Sequence, residues 1–547
     1  MGDFPLLAQT NAGGNGDDAR WGTIVALVVF IIASVWLGTA AQRVMSRGSF
    51  LKGFFLGNRG LGAWAIALTA TVQSGGTFMG FPSLVYTYGW IVALWIGSYM
   101  VVPITGFGIV GKRIAHISRK TGAITMPDLF RERFGSPALG IVTSLLIVTF
   151  MTLMMVAQFK AGAMLMSVAW PKSGFLAFSE NPSVKLGTAY YVGLAVFSVT
   201  VVGYTLIGGF LAAVWTDLFQ SVLMFIGVAF LLVLSLWAAG GLESATRDAI
   251  ANPKVGPGIA FGPGLGREFL PLTLAVSFFF LWPATGFSSP ASVTRIMACK
   301  DTGTLRRSIV ILCLYNLGIY LPLICICLCA RKLMPNIEET DQVIPRMAVE
   351  MTRGIRGGSL LSGLILAAPF GAVMATVSAY LVVISSGLVR DIYHRFINPR
   401  ASERQLKHWT WGVMIGVGCV AIASNIDPPA YLQAVVVFSS SGAGSAFAVP
   451  CLMLCYWRRA TAAGVIAAMT TGAAVTLGLY VIGFVLGWQD PPFDPGIAEA
   501  TKLRPYYLGG FQPLIWGVLA SAIAGIVVTL ATGPPEEKLT RAFFDAE

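Results

Sequence analysis

Two charged side chains stand inside long apolar runs, Lys160 in "MMVAQFKAGAML" and Asp217 in "VWTDLFQ". A charge at mid-membrane depth costs about 3 kcal/mol even on lenient scales, so each is a functional candidate by default. For Asp217 the alternative is an interfacial position near the start of its run. Lys160 could pair with a substrate carboxylate or stand in for a missing cation. Its alternative is to lie near the outer surface, with its ammonium snorkelling to water.

A third candidate is the stretch "ALTATVQSGGTFMGFP" at 67–82, whose centre, Thr71 to Thr77, is polar and breakable. Unwound backbone in lipid leaves N–H and C=O groups that protein, water, an ion or a solute must satisfy. Freed carbonyls suit a small cation, and the positive end of a half-helix suits an anionic group. Thr71, Ser74, Gly75, Gly76 and Thr77 are therefore candidates for contact with a solute. Elsewhere Gln158, Trp282, Thr285, Gln433 and Ser439, which opens the run Ser439–Ser441, could line its path. Each of these can equally serve helix packing.

Other chemistry finds little support. His116, His394 and His408 fall in loops without metal-ligand spacing, and no nucleophile has a base beside it. No catalytic residue is expected, and the chain does not read as an enzyme. The eight cysteines show no zinc spacing and no external pair. The formal net charge of +12 is spread over short loops, which argues against nucleic acid as a partner.

These candidates must be held by membrane helices. The 547 residues are 56% hydrophobic and 11% charged, with mean hydropathy +0.74, whereas soluble domains carry about 25% charged residues. Apolar segments near 22–41, 62–86, 90–111, 138–168, 188–208, 212–238, 269–290, 308–330, 358–388, 409–424, 430–454, 463–486 and 512–532 are long enough to cross a bilayer. The polar N-terminal segment 1–21 lacks a basic cluster and argues against a cleaved signal peptide. An all-α polytopic protein of thirteen spans puts its termini on opposite sides. With the N-terminus outside, 23 of the 37 Lys and Arg fall in cytoplasmic segments and 13 in external ones. That bias predicts N-out and C-in, with 533–547 as a cytoplasmic tail and 239–268, 331–356 and 487–511 as external loops.

Two spans look interrupted: 62–86 at Ser74–Gly76, and 269–290 near "FLWPATGFSSP". They start on opposite sides and lie five spans apart. Paired broken helices at corresponding positions point to a transporter site between inverted repeats, here 62–238 and 269–454. One helix and its loop (22–61) precede them, and two helices (455–532) follow. The residues alone suggest ion-coupled uptake of a polar or anionic solute.

Longer stretches carry a resemblance. "FFLGNRGLGAWAIALTATVQSGGTFMGFPSLVYTYGW", "YTLIGGFLAAVWTDLFQSVLM", "APFGAVMATVSAYLVVISSGLVRDIYHRFINPRAS" and "YWRRATAAGVIAAMTTG" resemble the sodium:solute symporter family. The wording is closest to its pantothenate branch, through "TAT" at 69–71, "CKD" at 299–301, "IP" at 344–345, "LAAP" at 366–369 and "PP" at 428–429. The resemblance covers residues 22–486. It implies a leucine-transporter-type fold with a 5+5 inverted repeat in the cell membrane. It also implies sodium-driven symport of a small organic anion, pantothenate-like or another monocarboxylate. A solute sensor of the same fold is the alternative from another class.

Carried over residue by residue, the resemblance implies a sodium ion held by the carbonyls of Ala70, Gln73 and Ala372 and by hydroxyls at 375 and 376. Thr376 matches. Ala375 departs from the family's Ser or Thr and supplies no side-chain oxygen. Water could fill that gap, or protons could replace sodium as the coupling ion. Ser378, one turn on, is a further candidate hydroxyl, with a bond back along its own helix as its alternative. The family motif around Asp217 is linked to a second cation site or to gating.

Overall fold

The structure is a computed structural model that describes residues 18–45, 54–56, 61–70, 74–170, 186–251, 271–428, 432–486 and 505–544. Among these the chain is all helical, apart from one isolated bridge between Leu61 and Cys299. Helix α1 is Asp18–Met45. The first broken segment follows as α2 (Ala63–Ala70) and α3 (Phe81–Tyr88), the latter entered through a π-turn at Gly76–Gly80. Then come α4 (Ala93–Pro103), continued by a π-turn to Ile109, α5 (Gly111–Thr121), α6 (Met126–Phe134) and α7 (Pro137–Ala169). Helix α8 (Thr188–Ala239) is two helices joined at Gly209, and α9 (Leu242–Ala251) is short.

The second broken segment is α10 (Leu272–Ser288) and α11 (Pro290–Met297), followed by α12 (Thr302–Leu333). A single turn, Thr340–Gln342, leads into α13 (Val343–Met351) and α14 (Gly358–Ser385), which runs on as π-helix to Ile397. Helices α15 (Glu403–Ala423), α16 (Leu432–Tyr456), α17 (Ala462–Leu486), α18 (Pro513–Ala531) and α19 (Glu537–Phe544) complete the chain.

Among the described residues ten helices are long and apolar enough to cross a membrane, and two bent pairs raise the number to twelve. Eleven of the thirteen expected segments thus meet single helices or a bent pair at 272–297; the segment at 90–111 meets the other pair, bent by 40° after Ile109. The segment at 62–86 is two short helices on either side of residues 71–73, which lie outside the described residues. The second break falls where the glycines and prolines put it, and beyond the expected span 290–297 is a buried helix bent by 42° from α10.

Burial sorts the helices. The central window of α14 is 83% buried and that of α16 78%, against 28% for α1 and α18. Helix α14 reaches the centre because its middle, "AAPFGAVMATVSA", is small enough for close approach; a Cβ on Gly371 would meet Gln220 at 3.1 Å. The turn inside α8 needs glycine for another reason. Gly209 has φ 57° and ψ −148°, a region essentially closed to side chains, and the Phe54 ring lies 2.5 Å from where its Cβ would stand. At the end of the chain, α19 docks on α6 through Phe543 and Phe544. They sit with Phe134 around the Arg133 guanidinium at 4.8–5.5 Å. Burial pushes Arg133 down to about 10.

Candidate functional site

The two breaks open onto one cavity, with about 100 Å³ of free space. Of the candidates read from sequence, Ser74, Gly76, Thr77, Trp282, Thr285 and Gln433 line it. Helix α14 adds Tyr380, and α16 adds Ser440 beside Gln433. The remaining wall is aliphatic residues, two further serines and a group of rings: Tyr99 packs between Trp282 and Tyr320, with ring centroids at 4.9 and 4.5 Å, and Phe81 meets Tyr320 edge-on. Thr77 and Tyr320 share a hydrogen bond of 3.1 Å. Among the described residues no Asp, Glu, Lys or Arg lines this space.

The start of the second half-helix is already satisfied by its own surroundings. Thr77 Oγ1 accepts from the Ser74 N–H at 3.3 Å, Gln158 Oε1 from Gly75 at 2.8 Å and Ser74 Oγ from Gly76 at 3.1 Å. The N–H groups of Thr77 and Phe78 both donate to Ser74 O. At this break the helix start is therefore already occupied by acceptors from the protein itself. Gln158 explains part of this: it stands behind the break and caps it instead of lining the cavity. Its reach requires glycine at 75, where a Cβ would sit 2.6 Å from that of Ala161.

Other candidates are also placed elsewhere. Ser439 donates to Phe150 O and belongs to the α7–α16 packing. Lys160 neither snorkels nor faces the cavity. Its ammonium lies 3.2 Å from Asp341 Oδ2, with both side chains at least nine-tenths buried. The segment between α12 and α13 supplies that carboxylate, so the sequence distance hid the pairing. Asp217 is indeed deep inside, and it faces Arg295 Nη2 at 2.8 Å. Arg295 was missed because "TRIMACKDTGTLRR" reads as a basic loop; α11 carries it into the protein, where it is 2% exposed. The missed tyrosines carried a usable signal: Tyr99, Tyr320 and Tyr380 sit well inside apolar runs, away from the interfacial belts where tyrosine is usual.

The proposed sodium ligands fall on two adjoining elements. Ala70 ends α2, while Thr71 and Gln73 lie outside the described residues. A Cβ on Gly75 would stand 3.5 Å from the Val373 side chain, so the break and the 372–376 turn of α14 are neighbours. Thr376 Oγ1 donates to Ala372 O at 2.9 Å, and Ser378 Oγ to Ala375 O at 3.0 Å. A donating hydroxyl keeps its lone pairs free for a cation. Ala375 is buried and offers only its carbonyl.

A helical membrane protein with two broken helices around a central cavity has the architecture of a secondary transporter. Comparison with known proteins agrees. The family model described as sodium:solute symporter family matches residues 54–472. The sodium/pantothenate symporter of Haemophilus influenzae is 29% identical over 85% of this chain and 91% of its own length. The osmoregulated proline transporter of Bacillus subtilis is 28% identical over 95% of this chain and 97% of its own. A substrate-bound, outward-open structure of a Na+-coupled sialic acid symporter superposes with a TM-score of 0.68 at 18% identity, covering 94% of this chain and 99% of that one. The chain belongs to the sodium:solute symporter family. It is a multi-pass membrane transporter that couples solute to sodium, and not an enzyme.

Proposed function

We propose that the chain imports a small carboxylate-bearing solute together with sodium, through the cavity between the two broken helices. The observation that carries this reading is the cavity wall itself: hydroxyls, one amide, aliphatic side chains and packed rings, with no charged side chain among the described residues. A carboxylate brought there alone would be an uncompensated charge in a low-dielectric site. It is compensated if sodium travels with it, as for a pantothenate-like monocarboxylate, or if the solute has its own ammonium, as proline does. Relatives of both kinds support keeping the two solutes as the first to test.

The ion is assigned to the carbonyls of Ala70, Gln73 and Ala372 and the hydroxyl of Thr376, one side-chain ligand short because of Ala375. Gating is assigned to Asp217, because Arg295 already supplies its counter-charge. Thirteen spans, N-out and C-in, with 62–238 and 269–454 as inverted repeats, are the frame in which one repeat rocks against the other. Each sodium moving inward gains about 2.3 kcal/mol per 100 mV of membrane potential. Equilibrium binding of radiolabelled pantothenate and of proline to the purified chain tests the site. Binding of one of them in sodium, and its loss in potassium, is expected. No binding of either, or equal binding in both salts, would remove the proposal.

A further inference from the structure

Two buried ion pairs flank the cavity, and each joins residues 62–238 to residues 269–454. Asp217 and Arg295 meet one helical turn beyond Ser292 of the lining; Lys160 and Asp341 meet at the other end. The second pair has the wider reach. Asp341 Oδ2 accepts the Lys160 ammonium and also the backbone N–H of Leu432, each at 3.2 Å. The residue after Leu432 is Gln433, which lines the cavity. The residue before Asp341 is Thr340, whose hydroxyl is bonded to that of Ser83 on α3. One turn, Thr340–Gln342, is thus tied to α3, α7 and α16 at the same end of the cavity.

We propose that Lys160 and Asp341 are positioning residues for transport. Together they form the outer clasp that holds the first turn of α16, and Gln433 with it, over the cavity, and the clasp parts to admit solute. The inference rests on the reading of the chain as a transporter with 331–356 outside. The physical argument is short. A pair bridging two bodies at 3.2 Å does not survive one rocking against the other, because packed interfaces switch between discrete arrangements. A buried pair is also a poor way to gain stability alone, since apolar residues of the same size do as well. With Lys160 removed, Asp341 is a buried charge that has lost its counter-ion, a cost that water relieves. Such a variant should populate the state in which this end is wet.

The test needs no solute. In the full chain, in sealed vesicles of known orientation, Ser440→Cys serves as a reporter of cavity access to a membrane-impermeant maleimide, with buried Cys327 as an internal reference. Lys160→Gln and Asp341→Asn are each expected to speed labelling of the introduced thiol from the external face roughly tenfold. From the cytoplasmic face labelling should slow. Lys160→Arg, which keeps the cation and leaves Asp341 free to accept from Leu432, should return the rate towards that of the parent. Unchanged labelling in both single variants would overturn the proposal. Faster labelling from both faces, or of Cys327 as well, would also overturn it, because it would show that the pair only holds the fold. A Lys160→Arg variant that labels as fast as the single ones would be equally fatal. A failure here with sodium-dependent solute binding intact would leave the transport reading standing.

Discussion

Gln158 acts one step back from the cavity. Its carbonyl holds the Gly75 N–H, and no other acceptor for that group is present among the described residues. Leaving a buried donor unsatisfied costs about 1–3 kcal/mol. Gln158→Leu should therefore weaken solute binding by roughly ten- to a hundredfold, read by equilibrium binding, while Gln158→Glu, which keeps an acceptor, should lose less. Asp217 makes a sharper case. Asp217→Asn leaves Arg295 as a lone buried cation, at a cost of about 3–5 kcal/mol, and should lower the melting temperature of the purified protein. Asp217→Leu with Arg295→Leu should recover melting but not uptake, separating the pair's role in gating from its role in the fold. At the ion, Ala375→Ser adds a hydroxyl beside Thr376. The sodium concentration for half-maximal solute binding should fall; an unchanged value would show that position 375 does not face the ion. Of these residues, Asp217 and Gln158 were legible as polar groups in apolar runs. Their partners were not, because Arg295 lies in a segment that looks like a loop and the Gly75 N–H exists as an orphan only once the helix breaks.

The broken helices show what sequence pattern can and cannot deliver at the scale of an element. Ser74–Gly76 and the Pro283–Pro290 region marked both breaks, because helix-breaking residues in lipid need a reason. Packing decides how the chain continues beyond a break. Helix α11 is eight residues, entirely buried, and held by its neighbours with no apolar length of its own. Hydropathy therefore ended the span at the break and missed the helix beyond it. The segment at 331–356 misled in a similar way: it reads as one of the expected external loops, yet Asp341 turns inward to Lys160. The bend inside α8 was legible as a boundary between spans, and its cause is local. Gly209→Ala should destabilise the protein by about 1–3 kcal/mol through backbone strain, visible as a lower melting temperature. Adding Phe54→Ala should relieve the contact but not the strain, so that melting recovers only in part.

For the whole molecule, the fold sets a central rod, α14, among helices that break on either side of it, and the least buried helices ring the outside. The cavity is neutral, while the charges nearest to it are paired across the proposed repeats. That division suits the proposed alternating access, in which the site would bind a solute whose charge is balanced and the ion pairs at its ends would set which end is closed. The most direct test of sodium-coupled import is uptake of radiolabelled pantothenate and proline into proteoliposomes with an imposed inward sodium gradient. The expected result is transient accumulation of one of them above equilibrium, greater with the interior negative and abolished when potassium replaces sodium. Accumulation that persists without sodium, or that follows a proton gradient alone, would contradict it.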